Sequence, residues 1–314
     1  MGKLSKILEY AYAGNLEKKR LINGPTFPRE VKELLVSEGM NTSTLVSLGV
    51  QEALVDGAET RAVIRNVLPT IKVSKYNTMV PTNLSPSGVV SPTAETAIPP
   101  ILNSSYASGT LDIEKYSTRV GITSEMIEDC QWDIIEAEVK RAGAILENTL
   151  NKVGMTELLD GHNASKPADK DPAGSHLELV DLADVKNTLM TKYWGGGGLS
   201  FIGHPKAIQY LLDSGSLPVD VVPNKGGKLF GMGVYELITP IDSKTRYWDA
   251  TDASSHYYGI VLDTNNYAVI GMREDMNVTK QIRDPIHDLT EMVASMRFDV
   301  KVINDKAAVR ILSK

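Results

Sequence analysis

The longest uninterrupted helix signal in the chain runs from Thr123 to Gly154, TSEMIEDCQWDIIEAEVKRAGAILENTLNKVG. Thr123 is placed to cap its start, and Glu125, Glu128 and Asp129 load the first turns with negative charge, which suits the positive end of a helix dipole. Ile127, Cys130, Ile134 and Ala137 recur at three-to-four spacing and mark the expected buried face; Ala142, Ile145 and Thr149 continue it after a slip. Glu136 and Lys140 form an i,i+4 pair, and Gly154 is the expected stop. Such a helix has roughly 28 residues and is about 42 Å long at 1.5 Å per residue. A compact globule of this chain length has a radius of only roughly 20 Å. The sequence therefore predicts an elongated molecule with this helix as its spine.

The rest of the chain mixes helix and strand without regular alternation, an α+β pattern. Residues 1–24 are mixed and charged and suit a short helix. Residues 28–39, PREVKELLVSEG, read as a helix opened by Pro28 and stopped by Gly39. Residues 61–80 read as extended, with Val63, Val67, Ile71 and Val73 as β-formers. Five of the fifteen prolines fall between Pro81 and Pro100, among Ser, Thr and Gly. Residues 81–110 are thus a long, sparsely apolar loop that is either functional or a disordered linker, and they need another surface to lie on. Residues 111–122 alternate as a strand does. A helix near 181–193 is expected with Asp181 as its cap, then a buried strand over Leu199–Gly203, then a helix from His204-Pro205 to Gly215. Strands follow within 226–241 and over 257–263, 267–271, 275–282, 290–303 and 306–312.

The chemistry-bearing motifs mostly fail their own tests. Four glycines, Gly195–Gly198, are followed by Leu199-Ser200, whereas a Walker-type phosphate loop needs Lys-Ser/Thr there. A dinucleotide turn needs a strand before its glycines and a helix after them, and here the order is reversed. Gly231-Met232-Gly233 lacks the third glycine, since Glu236 stands in its place. None of His162, His176, His204, His256 and His287 is spaced as a helical zinc pair. There is no G-x-S-x-G elbow. The single cysteine, Cys130, cannot form an internal disulfide, and its expected role is packing. No catalytic, cofactor-binding or metal residues are assigned.

The bulk properties point the same way. The 314 residues carry a net charge of −6, so the chain is not a basic nucleic-acid binder. No apolar signal segment or membrane span is read, and Lys6 breaks the myristoylation pattern. Triplets such as Asn163-Ala164-Ser165 are read as chance composition.

The ordered set of features resembles the Hong Kong 97-type (HK97-like) major capsid proteins of tailed phages and related viruses. The stretch ETAIPPILNSSYASGTLDIEKYSTRVGITSEMIEDCQWDIIEAEVKRAGAILENTLN is similar to that family's E-loop, return strand and spine helix. GLSFIGHPKAIQYLLDSG and GKLFGMGVYELITPI resemble A-domain elements, and residues 257–312 resemble the closing P-domain strands. The likeness covers roughly residues 60–312 and rests on order and spacing. It implies an N-terminal extension and N-arm over 1–60, a strand leading into the E-loop over 61–80 and the E-loop over 81–118. It further implies a P-domain spine over 119–160, an A-domain over 161–265 and closing strands over 266–314. It implies a non-enzymatic subunit of an icosahedral virion shell, assembled in the host cytoplasm around double-stranded DNA. The implied partners are further copies in pentamers and hexamers, a separate scaffolding protein, a portal and decoration proteins, and no membrane.

Two departures sharpen these expectations. Some family members crosslink an E-loop lysine to a neighbour's asparagine. Here no lysine lies between Tyr76 and Glu114, and the tip QIRDPIHDLT has no asparagine. Uncrosslinked particles are therefore expected. The roughly 60 residues before the resemblance leave no room for a large fused scaffold. The rival within the fold is an encapsulin-type nanocompartment shell, which usually has a shorter N-terminal region and E-loop. The rival from another class is an enzyme with a Gly-rich phosphate site.

Overall fold

A computed structural model describes residues 7–8, 42–87, 103–123, 125–126, 129, 132–161, 167–172, 177–193, 198–213, 223–224, 226–237, 257–278, 282–284 and 289–312. The helices are α1 (Thr42–Glu59), α2 (Ile64–Val67), α3 (Trp132–Asp160), α4 (Leu179–Thr188) and α5 (Pro205–Asp213). The strands before α3 are β1 (Thr70–Lys72), β2 (Asn77–Ser87), β3 (Asn103–Asp112) and β4 (Glu114–Thr123). Those after it are β5 (Leu199–Gly203), β6 (Lys228–Leu229), β7 (Met232–Glu236), β8 (Tyr257–Asp263), β9 (Ala268–Val278), β10 (Ile282–Asp284), β11 (Leu289–Val302) and β12 (Ala308–Leu312). The chain divides into two compact units. One comprises Met1–Ala62, Glu114–Leu150 and Glu274–Phe298; the other comprises Val63–Ile113, Asn151–Arg273 and Asp299–Lys314.

In the first unit, α1 packs on the N-terminal part of α3. Among the described side-chain positions of α1, Gly49, Val50, Ala53, Leu54, Gly57 and Ala58 are buried, a helical stripe that includes small residues at every fourth place. Small residues let the two backbones touch. A Cβ on Gly57 would overlap the Lys140 carbonyl oxygen, and one on Gly143 would overlap that of Leu54. Lys140 is held across this contact by Asp56 at 2.7 Å and by the expected i,i+4 partner Glu136 at 3.4 Å. The hydrogen bond that Lys140 donates to Asp56 is the main cause that raises the Lys140 pKa. In the same unit β11 pairs antiparallel with β4, from Leu289 opposite Thr123 to Phe298 opposite Glu114. It also pairs with β10. Tyr116 stacks on Phe298 with ring centroids 4.7 Å apart.

In the second unit a five-stranded sheet runs in the order β12-β8-β5-β7-β6. β5 is parallel to β7 and antiparallel to β8. All residues of β5 and β8 are buried, as expected of an apolar run covered on both faces. Leu182, Val185 and Leu189 pack with Ala207, Ile208 and Leu211 against Phe201, Tyr258, Val261, Val309 and Ile311. Arg310 clamps this unit: its Nε and Nη2 bind both oxygens of Asp169 at 2.8 Å, and its Nη1 donates to the Leu159 carbonyl at 2.6 Å. The Tyr267 hydroxyl donates to the Leu158 carbonyl, and burial pushes its pKa up.

Several expectations need correction. Residues 61–80 are not all extended: Ile64–Val67 is a helical turn, and Ile64 and Val67 are buried. β-propensity there yields to packing. Gly154 does not stop the spine helix, which continues to Asp160. A Cβ at Gly154 would come within 2.9 Å of the Ile64 side chain, so this glycine marks a close approach. Thr123 does cap helical backbone, accepting the Met126 amide at 3.2 Å, but it also ends β4, and the long helix begins at Trp132. Of the expected buried face of α3, Ala142 is buried, but Ala137 is exposed and the isoleucines are assigned one residue early. Ile134 and Ile145 are 51% and 46% exposed, whereas Ile135, Val139, Ala142, Leu146 and Leu150 are buried. Asp181 is not the cap of α4; it lies in the first turn and accepts the Glu178 amide at 3.2 Å, as the third residue of a capping box does. The helix expected over 28–39, Ile127 and Cys130 lie outside the described residues.

Candidate assembly surfaces

The glycine run that could have been a phosphate cradle lies between α4, with its π-helical extension Leu189–Tyr193, and β5. The order is helix then strand. Of the four glycines only Gly198 is described; its carbonyl accepts both the amide and the hydroxyl of Thr264 at 3.0 Å. That ties the loop end to the turn after β8.

Among the histidines only His204 is described. It precedes α5, with Pro205 as the first helical residue, the place where a missing N–H costs nothing. Its Nδ1 accepts the Lys206 amide at 3.2 Å. Burial, aided by the Lys206 charge, lowers its pKa to about 4. A neutral imidazole that accepts a backbone amide is a helix cap. Among the described residues no group of three or more His, Cys, Asp or Glu could hold a metal ion. No described helix is long and apolar enough to cross a membrane.

What the described residues do present is surface suited to partners. The first is a ribbon. β2 and β3 pair antiparallel from Asn77 opposite Asp112 to Ser87 opposite Asn103, with an irregularity between Thr82 and Ser85. Its base is packed, with Val80 and Leu111 joining Val73, Ile113 and Val269. No third strand joins it among the described residues. Between Asn77 and Leu111 the only charged side chain is Glu95. Met79 on the ribbon is 77% exposed. A two-stranded ribbon is marginal alone in water, and a strand edge is a template for pairing with another chain. In its described part the proline-rich segment is therefore a two-stranded arm. The expected loop over 81–110 is, where described, the paired strands Asn77–Ser87 and Asn103–Asp112, which the sequence does not show because Pro81 and Pro86 argue against strands unless these lie at an edge.

The second surface is a groove of about 390 Å³ between β4 and α3 in the first unit. Val120, Met126, Ile134, Ala142 and Ile145 give it apolar walls, and Arg119, Glu138 and Arg141 are polar lining. Arg119 pairs with Glu291 at 3.1 Å, and Arg141 with Glu138 at 3.6 Å. The ridge of Ile134 and Ile145 is what the sequence mistook for the core face.

No protein-family model matches the chain. No curated protein matches it either. Solved structures do. The virus-like particle from Pyrococcus furiosus aligns over 83% of this chain and 97% of its own, with a TM-score of 0.56 and 15% identity. The capsid of cyanophage P-SCSP1u aligns over 81% and 88%, with a TM-score of 0.55 and 14% identity. The capsid of an empty GTA particle aligns over 81% and 90%, with a TM-score of 0.53 and 16% identity. The chain has the Hong Kong 97-type capsid fold. At such identities the shared property is the fold, a mixed helix-and-sheet architecture reached with largely different side chains.

Proposed function

We propose that this chain is a major capsid protein, a structural subunit that closes with copies of itself into an icosahedral virion shell around double-stranded DNA. The observation that carries this reading is the fold shared with capsid chains over about four-fifths of the chain and nearly all of theirs. The physical features agree. The ribbon β2–β3 takes the part of the E-loop within 81–118, and α3 the part of the spine within 119–160. The A-domain then spans 161–265, and the closing P-domain strands 266–314. A two-stranded ribbon gains protection when a neighbouring subunit lies beneath it, and a closed symmetric assembly supplies such a neighbour to every copy. Packaged DNA would meet the shell through few, sequence-independent phosphate contacts, in keeping with a chain of net charge −6. A scaffolding protein, a portal and decoration proteins are further partners on this reading, with assembly in the host cytoplasm.

The contents of particles test it. Particles purified from cells are treated with nuclease and their protected material is extracted. Protected double-stranded DNA of genome length is expected, with one monomer band on a denaturing gel because the crosslinking lysine is missing. Shells filled with a cargo protein would instead make the chain a nanocompartment subunit. A ladder of covalent multimers would contradict the uncrosslinked shell.

A further inference from the structure

The turn between β6 and β7 is built against its own backbone preference. Lys228 pairs with Gly233 and Leu229 with Met232, so Phe230 and Gly231 alone form the hairpin loop. Both have positive φ, 51° and 79°. A two-residue hairpin with positive φ at both positions is the type I′ geometry, whose first position favours Asn, Asp or Gly. A phenylalanine there carries the left-handed backbone penalty that Cβ imposes. Its side chain is only partly covered in return. Phe230 is 44% exposed, whereas Phe201 and Phe298, the other described phenylalanines, are fully buried.

The tip is nevertheless held firmly. The Lys186 ammonium donates to the Phe230 carbonyl at 2.5 Å. At the base of the hairpin, Asn224 exchanges two hydrogen bonds with the Glu236 backbone, both at 2.9 Å. A strained, exposed aromatic on a fixed hairpin fits binding better than folding: it offers a large apolar surface with little freedom left to lose.

We propose that the Phe230–Gly231 tip is a contact point for a second copy of this chain. The proposal rests on the shell reading for the existence of such copies. Charge complementarity selects the occupant. Lys228 is the one charged residue between Gly226 and Tyr235, Lys186 adds a second cation at the turn, and Glu236 lies at the hairpin base, while the chain as a whole carries −6. A basic aromatic tip and an acidic copy of the same protein attract each other, and the phenyl ring supplies the desolvated centre of the contact. A tip meeting a different surface of the next copy is a heterologous contact, the kind that closes rings.

The test follows assembly of the full-length protein by light scattering against protein concentration. Phe230→Asn places the favoured residue in the turn, so the unassembled subunit should melt at the wild-type temperature or above it. The concentration needed for assembly should nevertheless rise about tenfold, as for loss of an interface aromatic. Phe230→Gly should behave alike, and Lys228→Glu should also raise the threshold. Assembly of Phe230→Asn and Phe230→Gly at the wild-type threshold would overturn the proposal while leaving the shell reading intact. A folded wild-type chain that never assembles would overturn both.

Discussion

Single residues carry the most local tests. His204 caps α5 through Nδ1 only while its imidazole is neutral. Its ordinary pKa of 6.5 drops to about 4 in the fold, because burial and the Lys206 charge disfavour the cation. The unfolded chain therefore binds a proton at a pH where the folded chain does not. The stabilisation is complete above the ordinary pKa and is lost as pH falls from 6.5 towards 4. His204→Asn keeps a capping side chain and removes the titration. Melting temperatures measured from pH 7.5 to 4.5 should fall more steeply for the wild type than for this variant; equal slopes would contradict the cap. Gly57 is a second test. A Cβ there would overlap the Lys140 carbonyl, so Gly57→Ala must push two helix backbones apart. The expected cost is about 1–3 kcal/mol, read from denaturant unfolding of the subunit, despite alanine's better helix propensity.

Secondary-structure elements show how much the sequence revealed. The buried strands β5 and β8 were legible because an apolar run of that length between turn residues has few other fates. The existence of the spine helix was legible too. Its orientation was not, because both faces carry isoleucine: Ile134 and Ile135 are adjacent, and periodicity alone does not say which one faces α1. The decisive signal was the partner, since α1 offers a stripe of small residues that brings backbones, not long side chains, together. That stripe, Gly49, Ala53 and Gly57, stood in the sequence at four-residue spacing and went unread. Substitution separates the two faces. Ile135→Asp places a carboxylate at a position 1% exposed and should leave no folded subunit in solution. Ile134→Asp, at 51% exposure, should fold with a wild-type circular dichroism spectrum. The assembly surfaces were less legible than the fold. The arm announced itself by composition, but the groove beside β4 requires strand and helix to be placed together, and no local pattern encodes that.

At the scale of the whole molecule, the two-stranded arm is where the proposed self-association would be felt most. Amide hydrogen exchange should expose this in the arm. Residues 77–87 and 103–112 should exchange fast in the unassembled subunit and slow by at least about tenfold on assembly, as marginal two-stranded pairing gains a covering surface. The most direct test of the central claim is electron microscopy of the purified full-length protein across protein concentration and salt. Closed, uniform icosahedral shells built from pentamers and hexamers of this one chain are predicted. A folded chain that stays monomeric or forms only small open oligomers under every condition would contradict it.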